Sequence, residues 1–159
     1  METGEIFIPE VLMSAQVMGQ AVEILKPLLG DDSAKAGASV LIGSVKGDLH
    51  DIGKNLVAMM MESAGFEVTD LGVDIAPENF IAAIKEQNAS IVALAALLTT
   101  TMPMMKETVE AICASGLREQ VKIIVGGAPV NQSFADEIGA DGYAADAGSA
   151  SKLAKSYLN

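Results

Sequence analysis

From residue 38 onward, short apolar runs rich in β-branched residues alternate with segments whose apolar residues recur at helical spacing. The apolar runs predict strands at residues 38–45, 66–72, 90–98 and 121–128, with a last short strand within 141–146. Helices are predicted at residues 52–64, 77–88, 103–115 and 131–138, and from Ala147 to the end. This alternation favours a parallel, doubly wound α/β sheet of five strands.

The segment before this pattern is predicted to be separate from it. Residues 9–29 carry an apolar stripe at spacings of three and four, which is typical of an amphipathic helix, and Gly30 ends it. The polar, small-residue stretch that follows reads as a linker. We therefore divide the chain into a helical segment (1–30), a linker (31–37) and one α/β domain (38–159).

Charge and cysteine content restrict the partners and the setting. The chain has 159 residues and a formal net charge of -11, so nucleic acid and anionic membrane surfaces would repel it. Its longest apolar run, Ile91–Leu98, is too short for a membrane span. A single cysteine, Cys113, and the lack of an opening signal-like segment favour a cytoplasmic protein.

The only histidine, His50, lies in the glycine-containing stretch at residues 43–55, directly after the first predicted strand. A zinc site built by the protein needs three or four ligands, which one histidine and one cysteine do not supply. A metal already held by a macrocycle needs only one axial ligand from the protein. Asp48 could accept the second ring N–H, and Gly53 could let a ligand approach the backbone. A loop histidine without a role is the plain alternative.

Other polar and glycine residues follow the neighbouring strands. The pair Gly126-Gly127 and the threonines at 99–101 lie after predicted strands, where ligands bind in such sheets. Ordinary turns and a polar loop explain them equally well. Lys46 and Lys54 could reach amides or a phosphate of a ligand, but a solvated position is the expectation for both.

The motif positions resemble a known signature. Asp48-x-His50-x-x-Gly53 is followed after 41 residues by Ala95-Ala96-Leu97 and after 28 more by Gly126-Gly127. This resembles the D-x-H-x-x-G … S-x-L … G-G signature of cobalamin-binding domains. Nearly the whole chain is similar to the cobalamin region of methionine synthase and to the corrinoid proteins of methyltransferase systems. The resemblance implies a flavodoxin-like or Rossmann-like cobalamin-binding domain, preceded by a remnant of a helical-bundle cap.

The resemblance also implies roles for individual residues. His50 would replace the nucleotide base of cobalamin, or of another cobamide, as axial ligand to cobalt, which is the base-off/His-on state. Asp48 and Thr101 would form its proton relay, with His50 the three residues of the reactive centre. The remaining cofactor-binding residues implied are Ser44, Gly47, Asp51, Ile52, Gly53, Ala95, Leu97, Thr99, Gly126, Gly127 and Ala147.

Two departures from the family pattern carry expectations of their own. The signature serine is Ala95 here, so a hydroxyl expected to bind the nucleotide base is missing, and we expect tolerance of cobamides with other lower bases. Only one cap helix of four is visible in the sequence. Its apolar stripe is therefore expected to support self-association into a homo-oligomer or docking onto its own domain.

The function implied is methyl carriage on cobalt. The partners implied are a methyl-donor methyltransferase, an acceptor methyltransferase that uses tetrahydrofolate or a thiol, and a reductive activase; the chain is not expected to complete turnover alone. Alternatives are a cobalamin-dependent sensor or regulator, the small subunit of a carbon-skeleton mutase, and a receiver-type domain without a cofactor. The sequence lacks the tryptophan expected of the photoreceptor sensors.

Overall fold

The computed structural model describes residues 8–25 and 37–158 of the chain. The strands are β1 (Ser39–Val45), β2 (Glu67–Ile75), β3 (Ile91–Ala95), β4 (Lys122–Gly126) and β5 (Gly142–Tyr143). The helices are α1 (Ile8–Leu25), α2 (Ile52–Ser63), α3 (Pro77–Gln87), α4 (Met102–Ala114), α5 (Gln132–Ile138) and α6 (Ala147–Ser156).

The five strands form one parallel sheet in the order β2-β1-β3-β4-β5. This confirms the predicted doubly wound α/β sheet. The chain leaves β1 toward one edge and returns to its other side with β3, so strand order reverses between these two strands. Ligands of open α/β sheets bind at the carboxyl ends of the strands at such a reversal, and His50 follows β1 there.

Both faces of the sheet are buried, which explains the near-continuous apolar character of the central strands. The face toward α3, α4 and α5 holds the larger cluster, which includes Leu41, Phe80, Val92, Met105 and Ile112. The face toward α2 and α6 holds a smaller cluster, which includes Val40, Met61, Ile91, Ile124 and Ala154.

Side chains on the α2 and α6 face become smaller toward the carboxyl edge of the sheet. Val40 pairs with Ile91 near the amino edge. Four residues further along, Ser44 pairs with Ala95, and Ala95 pairs with Gly126. Because side chains alternate faces with a period of two, these residues all lie on the same face. Little side-chain volume fills this row beside α2 and α6.

The strand β2 is longer than predicted, and it is irregular. It was expected to end at Gly72 but runs to Ile75, with breaks in its register against β1 on either side of Gly43. Gly72 and Asp74 have positive φ angles of 94° and 55°. Such bulges bend and twist a strand, and here they extend β2 beside the loop that follows β1.

The strand β3 is shorter than predicted. The run at residues 90–98 reads as one strand, but β3 ends at Ala95. The backbone N–H of Leu97 donates to the Asp48 carboxylate at 2.7 Å instead of pairing with a neighbouring strand. The carboxylate of Asp48, in the loop that follows β1, therefore ends β3 early.

The helix α1 begins close to the predicted position and contacts α2. Residues 26–36, which include most of the predicted linker, lie outside the described residues, as do the side chains of the predicted apolar stripe. Among the side chains that are described, Met13, Val17 and Ile24 are 68%, 66% and 70% exposed. No helix in the described ranges is long and apolar enough to cross a bilayer.

Candidate cofactor-binding site around His50

A tight turn begins the loop that carries His50. The backbone N–H of Asp48 donates to the carbonyl of Val45 at 3.0 Å, and Gly47 has a φ angle of 83°. A positive φ at the third position of a four-residue turn favours glycine. The side chain of Asp48, the last residue of this turn, is 1% exposed, whereas the His50 side chain is 49% exposed.

The Asp48 carboxylate accepts four hydrogen bonds. Its Oδ1 accepts from the ring Nδ1 of His50 at 2.7 Å and from the backbone N–H of His50 at 3.1 Å. Its Oδ2 accepts from the backbone N–H of Leu97 and the hydroxyl of Thr101, each at 2.7 Å. Burial raises the pKa of Asp48, but these donors together outweigh it and lower the pKa to about 2. Asp48 is therefore ionised at neutral pH.

The ionised carboxylate determines which ring nitrogen of His50 carries the proton. A carboxylate can only accept, so Nδ1 of a neutral His50 holds the hydrogen that it shares with Asp48. The lone pair is then on Nε2, the usual arrangement when an imidazole binds a metal. Within the described residues, no three His, Cys, Asp or Glu side chains are grouped to hold a metal ion. The arrangement suits a metal that takes one ligand from this part of the chain.

Further hydrogen bonds hold the backbone of the loop. The hydroxyl of Ser44 donates to the carbonyl of His50 at 2.6 Å. Asp74 accepts from the N–H of Gly47 at 2.7 Å through its carboxylate, and its own N–H donates to the carbonyl of Asp48 at 2.9 Å. The sequence reasoning missed Asp74, because it lies beyond the predicted end of β2 and a carboxylate after a strand is not a distinctive signal.

The surroundings of His50 are apolar and open. Leu49 and Ile52 are 71% and 57% exposed, and Leu97 is 42% exposed. A methyl group added at Gly53 would meet no atom within 4 Å. Packing within the described residues therefore does not explain a glycine in the first turn of α2. An open backbone and exposed apolar side chains beside one free imidazole nitrogen fit a bulky, flat group such as a corrin.

The remaining candidates lie along the same edge of the sheet, with different surroundings. Asp51 is exposed and makes no capping hydrogen bond at the start of α2. Thr99 is exposed, and Ala147 is half-buried at the start of α6. Gly127 has a φ angle of 132°, and a Cβ there would lie 1.8 Å from the carbonyl oxygen of Ala96. The fold itself therefore requires a glycine at 127.

The expectation that Lys54 is solvated is wrong. Its side chain is 2% exposed, and its ammonium group forms an ion pair with Asp70 of β2 and donates to the side chain of Asn55. A helical position one residue after Gly53 gave no sign of this burial in the sequence, because the acidic partner is 16 residues away. Lys54 connects the start of α2 to β2.

The comparison with protein families decides the identity of this fold. The B12 binding domain family matches residues 38–151, and a second B12 binding domain family matches residues 1–26. The chain belongs to the B12 binding domain family. The resemblance to cobalamin-binding domains and corrinoid proteins is thereby confirmed.

Relatives of this B12-binding chain are corrinoid and cobalamin-binding proteins. Dimethylamine corrinoid protein 3 of Methanosarcina mazei is 46% identical over 99% of this chain and 95% of its own length. A crystal structure of a cobalamin-binding protein from Desulfitobacterium hafniense is 37% identical, with a TM-score of 0.86 over 99% of this chain and 74% of its own. A chain of the methanol:cobalamin methyltransferase complex of Methanosarcina barkeri is 34% identical, with a TM-score of 0.82 over 99% of this chain and 60% of that one.

Proposed function

We propose that this chain carries a corrinoid and that His50 binds the cobalt of cobalamin, or of another cobamide, in the base-off/His-on state. The observation that carries the proposal is the orientation of one imidazole: Nδ1 is bound to the Asp48 carboxylate, which leaves Nε2 as the nitrogen with a lone pair. When bound, the corrinoid supplies the cobalt atom that accepts and releases a methyl group.

Asp48 and Thr101 would set the ligand strength of His50. The negatively charged Asp48 carboxylate accepts the hydrogen bond from Nδ1–H and so raises the basicity of Nε2. The Thr101 hydroxyl donates to the other oxygen of this carboxylate. A proton added to the Asp48–His50 pair would remove part of that charge and would make Nε2 a weaker ligand. The hydroxyl of Thr101, the Asp48 carboxylate and Nδ1 of His50 form one continuous path for that proton.

The other residues would bind the body and tail of the cofactor. Gly47, Asp51, Ile52 and Gly53 lie on the loop and helix start around His50, so we propose them as contacts of the ring. The row of small side chains at the carboxyl edge of the sheet supports this edge as the place for the displaced nucleotide tail. The residues proposed for that tail are Ser44, Ala95, Leu97, Thr99, Gly126, Gly127 and Ala147.

We propose that the chain transfers methyl groups between two enzymes, a donor methyltransferase and an acceptor methyltransferase that uses tetrahydrofolate or a thiol. The similarity to a dimethylamine corrinoid protein and to a chain of a methanol:cobalamin methyltransferase complex supports a methyltransferase partner. A reductive activase would return oxidised cobalt to the reactive state. The chain alone is not proposed to complete turnover.

Residues 1–30 are proposed as a helical cap segment, joined by the linker 31–37 to the cobalamin-binding domain at 38–159. The two family matches, at residues 1–26 and 38–151, support this division. The exposed apolar side chains of α1 support the further proposal of a homo-oligomer through this helix.

The test is the absorption spectrum of the protein reconstituted with cobalamin. Wild-type protein should show a base-off spectrum with a nitrogen ligand, and His50→Ala should lose that ligand. Added imidazole should restore the spectrum of His50→Ala, because it replaces the missing ring without changing the fold. A wild-type spectrum with the cofactor's own base still coordinated, or one that His50→Ala leaves unchanged, would contradict the proposal.

A further inference from the structure

Asp74 contacts the loop that carries His50 at two points. Its carboxylate Oδ1 accepts from the backbone N–H of Gly47 at 2.7 Å, and its backbone N–H donates to the carbonyl of Asp48 at 2.9 Å. Gly47 and Asp48 are the last two residues of the turn that precedes His50. The end of β2 therefore holds this turn from the side, through one side-chain and one backbone hydrogen bond.

We propose that Asp74 is a positioning residue for His50. It fixes the Gly47–Asp48 turn, the turn sets the direction of the Asp48 carboxylate, and the carboxylate keeps the hydrogen on Nδ1 of His50. The hydrogen bonds of Asp74 go to Gly47, which is one of the proposed ring contacts, and to Asp48, and none of them goes to the imidazole. The proposal rests on the proposed function only where it concerns binding of the corrinoid.

The backbone of β2 is shaped for this contact. Asp74 has a φ angle of 55°, a conformation that aspartate and asparagine adopt more readily than most residues with a side chain. In that conformation both its N–H and its carboxylate reach the same turn. In a regular strand the backbone N–H points toward a neighbouring strand within the sheet, whereas the side chain stands roughly perpendicular to the sheet.

The bulge that presents Asp74 is itself held in place. Asp70 accepts from the N–H of Gly72 at 2.8 Å through one oxygen, and its other oxygen pairs with the buried ammonium of Lys54. The irregular end of β2 is thus tied to α2 on one side and to the His50 loop on the other. This makes Asp74 a fixed support for the turn.

Two substitutions separate the hydrogen bond of Asp74 from its backbone conformation. Asp74→Gly allows the positive φ angle but removes the acceptor for Gly47, whereas Asp74→Asn keeps both an acceptor oxygen and a tolerated conformation. Asp141→Ala is the matched control. Asp141 also accepts a backbone N–H, from Ile123 at 2.7 Å, but it lies beside the amino ends of β4 and β5.

The first measurement is made on cofactor-free protein. His50 is the only histidine, so its ring signals in an NMR spectrum are unambiguous, and nitrogen chemical shifts report which ring nitrogen is protonated. Asp74→Gly should reduce the Nδ1–H form of the neutral ring, and Asp74→Asn should retain it. Asp141→Ala should lower the thermal midpoint without changing the ring signals.

The second measurement is corrinoid affinity. Asp74→Gly should weaken it about fivefold, the factor that corresponds to one net hydrogen bond, and Asp74→Asn should restore it. Ring signals in Asp74→Gly identical to wild type, or an equal change in Asp141→Ala, would overturn the positioning role. If His50→Ala leaves corrinoid binding unchanged, the proposed function fails, while a tautomer shift in Asp74→Gly still supports the positioning of the ring.

Discussion

The hydroxyl of Thr101 donates to Oδ2 of Asp48 at 2.7 Å, although Thr101 occupies the cap position at the amino end of α4. A threonine at such a position commonly accepts from a backbone N–H in the first helical turn. Thr101 makes no such bond. Its side chain binds the buried carboxylate that holds His50 and does not cap α4.

Replacement of Thr101 should therefore show its effect through Asp48. Thr101→Val keeps the shape of the side chain but removes a donor from a buried, ionised carboxylate, and should lower the free energy of unfolding by about 1–3 kcal/mol. Thr101→Ser, which keeps the hydroxyl, is the control. Urea unfolding of cofactor-free protein measures both, and equal losses in the two variants would contradict the role of the hydroxyl.

Two glycines at the same edge of the sheet should respond in opposite ways to alanine. Gly127→Ala places a methyl group 1.8 Å from a backbone oxygen and should cost about 3 kcal/mol or more, or prevent folding. Gly53→Ala meets open space in a helix and should stabilise the cofactor-free protein by about 0.5–1 kcal/mol.

Corrinoid binding tests whether contact with the cofactor explains the glycine at position 53. If the ring lies against the first turn of α2, Gly53→Ala should weaken corrinoid affinity although it stabilises the fold. Thermal unfolding without cofactor and titration with cobalamin measure the two effects on the same sample. A Gly53→Ala variant that binds as wild type does would count against the proposed ring contact.

The ion pair between the buried Lys54 and the exposed Asp70 predicts that the two partners differ in their contribution to stability. Asp70→Asn leaves a buried ammonium without its counter-charge and should cost about 1–3 kcal/mol. Lys54→Met removes the charge and keeps the length of the side chain, so its cost should be smaller. Urea unfolding at neutral pH compares them; the reverse order would show that the ion pair is not the reason for the burial of Lys54.

Because residue 95 is alanine, we expect the site to bind cobamides with different lower bases. It pairs with Ser44, whose hydroxyl already donates to His50, so neither side chain has a free donor for the nucleotide base. Affinities for cobalamin and for a cobamide with a phenolic base should therefore agree within about fivefold. Ala95→Ser should increase the preference for cobalamin. A strong cobalamin preference in the wild type would contradict this expectation.

Asp141 predicts a loss of stability in acid. Burial raises its pKa, but the N–H of Ile123 and the cations Arg118 and Lys122 outweigh burial, so the pKa lies below the ordinary value of 3.8. A carboxyl whose pKa is lower in the folded state stabilises the protein above its unfolded pKa, and this contribution is lost as the pH falls through the folded pKa.

The measurement for Asp141 is urea unfolding at neutral pH and below about pH 3, in wild type and Asp141→Asn. The substitution should reduce stability at neutral pH, and the difference between the two proteins should shrink in acid. A difference that is the same at both pH values would show that the charge of Asp141 contributes nothing to stability.

Local patterns in the chain were enough to predict the α/β class and the hydrogen bond between Asp48 and His50. Strands and helices follow from side-chain periodicity over a few residues, and the Asp48–His50 bond joins residues two positions apart. Element ends were less predictable. β2 passes its expected end because of bulges, and β3 stops early because Leu97 donates to a carboxylate 49 residues away.

The folded chain alone showed what holds the imidazole in place. Thr101 and Leu97 reach Asp48 because β3 lies beside β1, and Asp74 reaches the same loop because β2 is bulged on the other side. Strand order and bulges depend on how the whole sheet packs, and neither leaves a periodic trace in the chain. For the same reason the tertiary structure was needed to show that Lys54 is buried. It was also needed to show that the packing requires glycine at position 127 and does not require it at position 53.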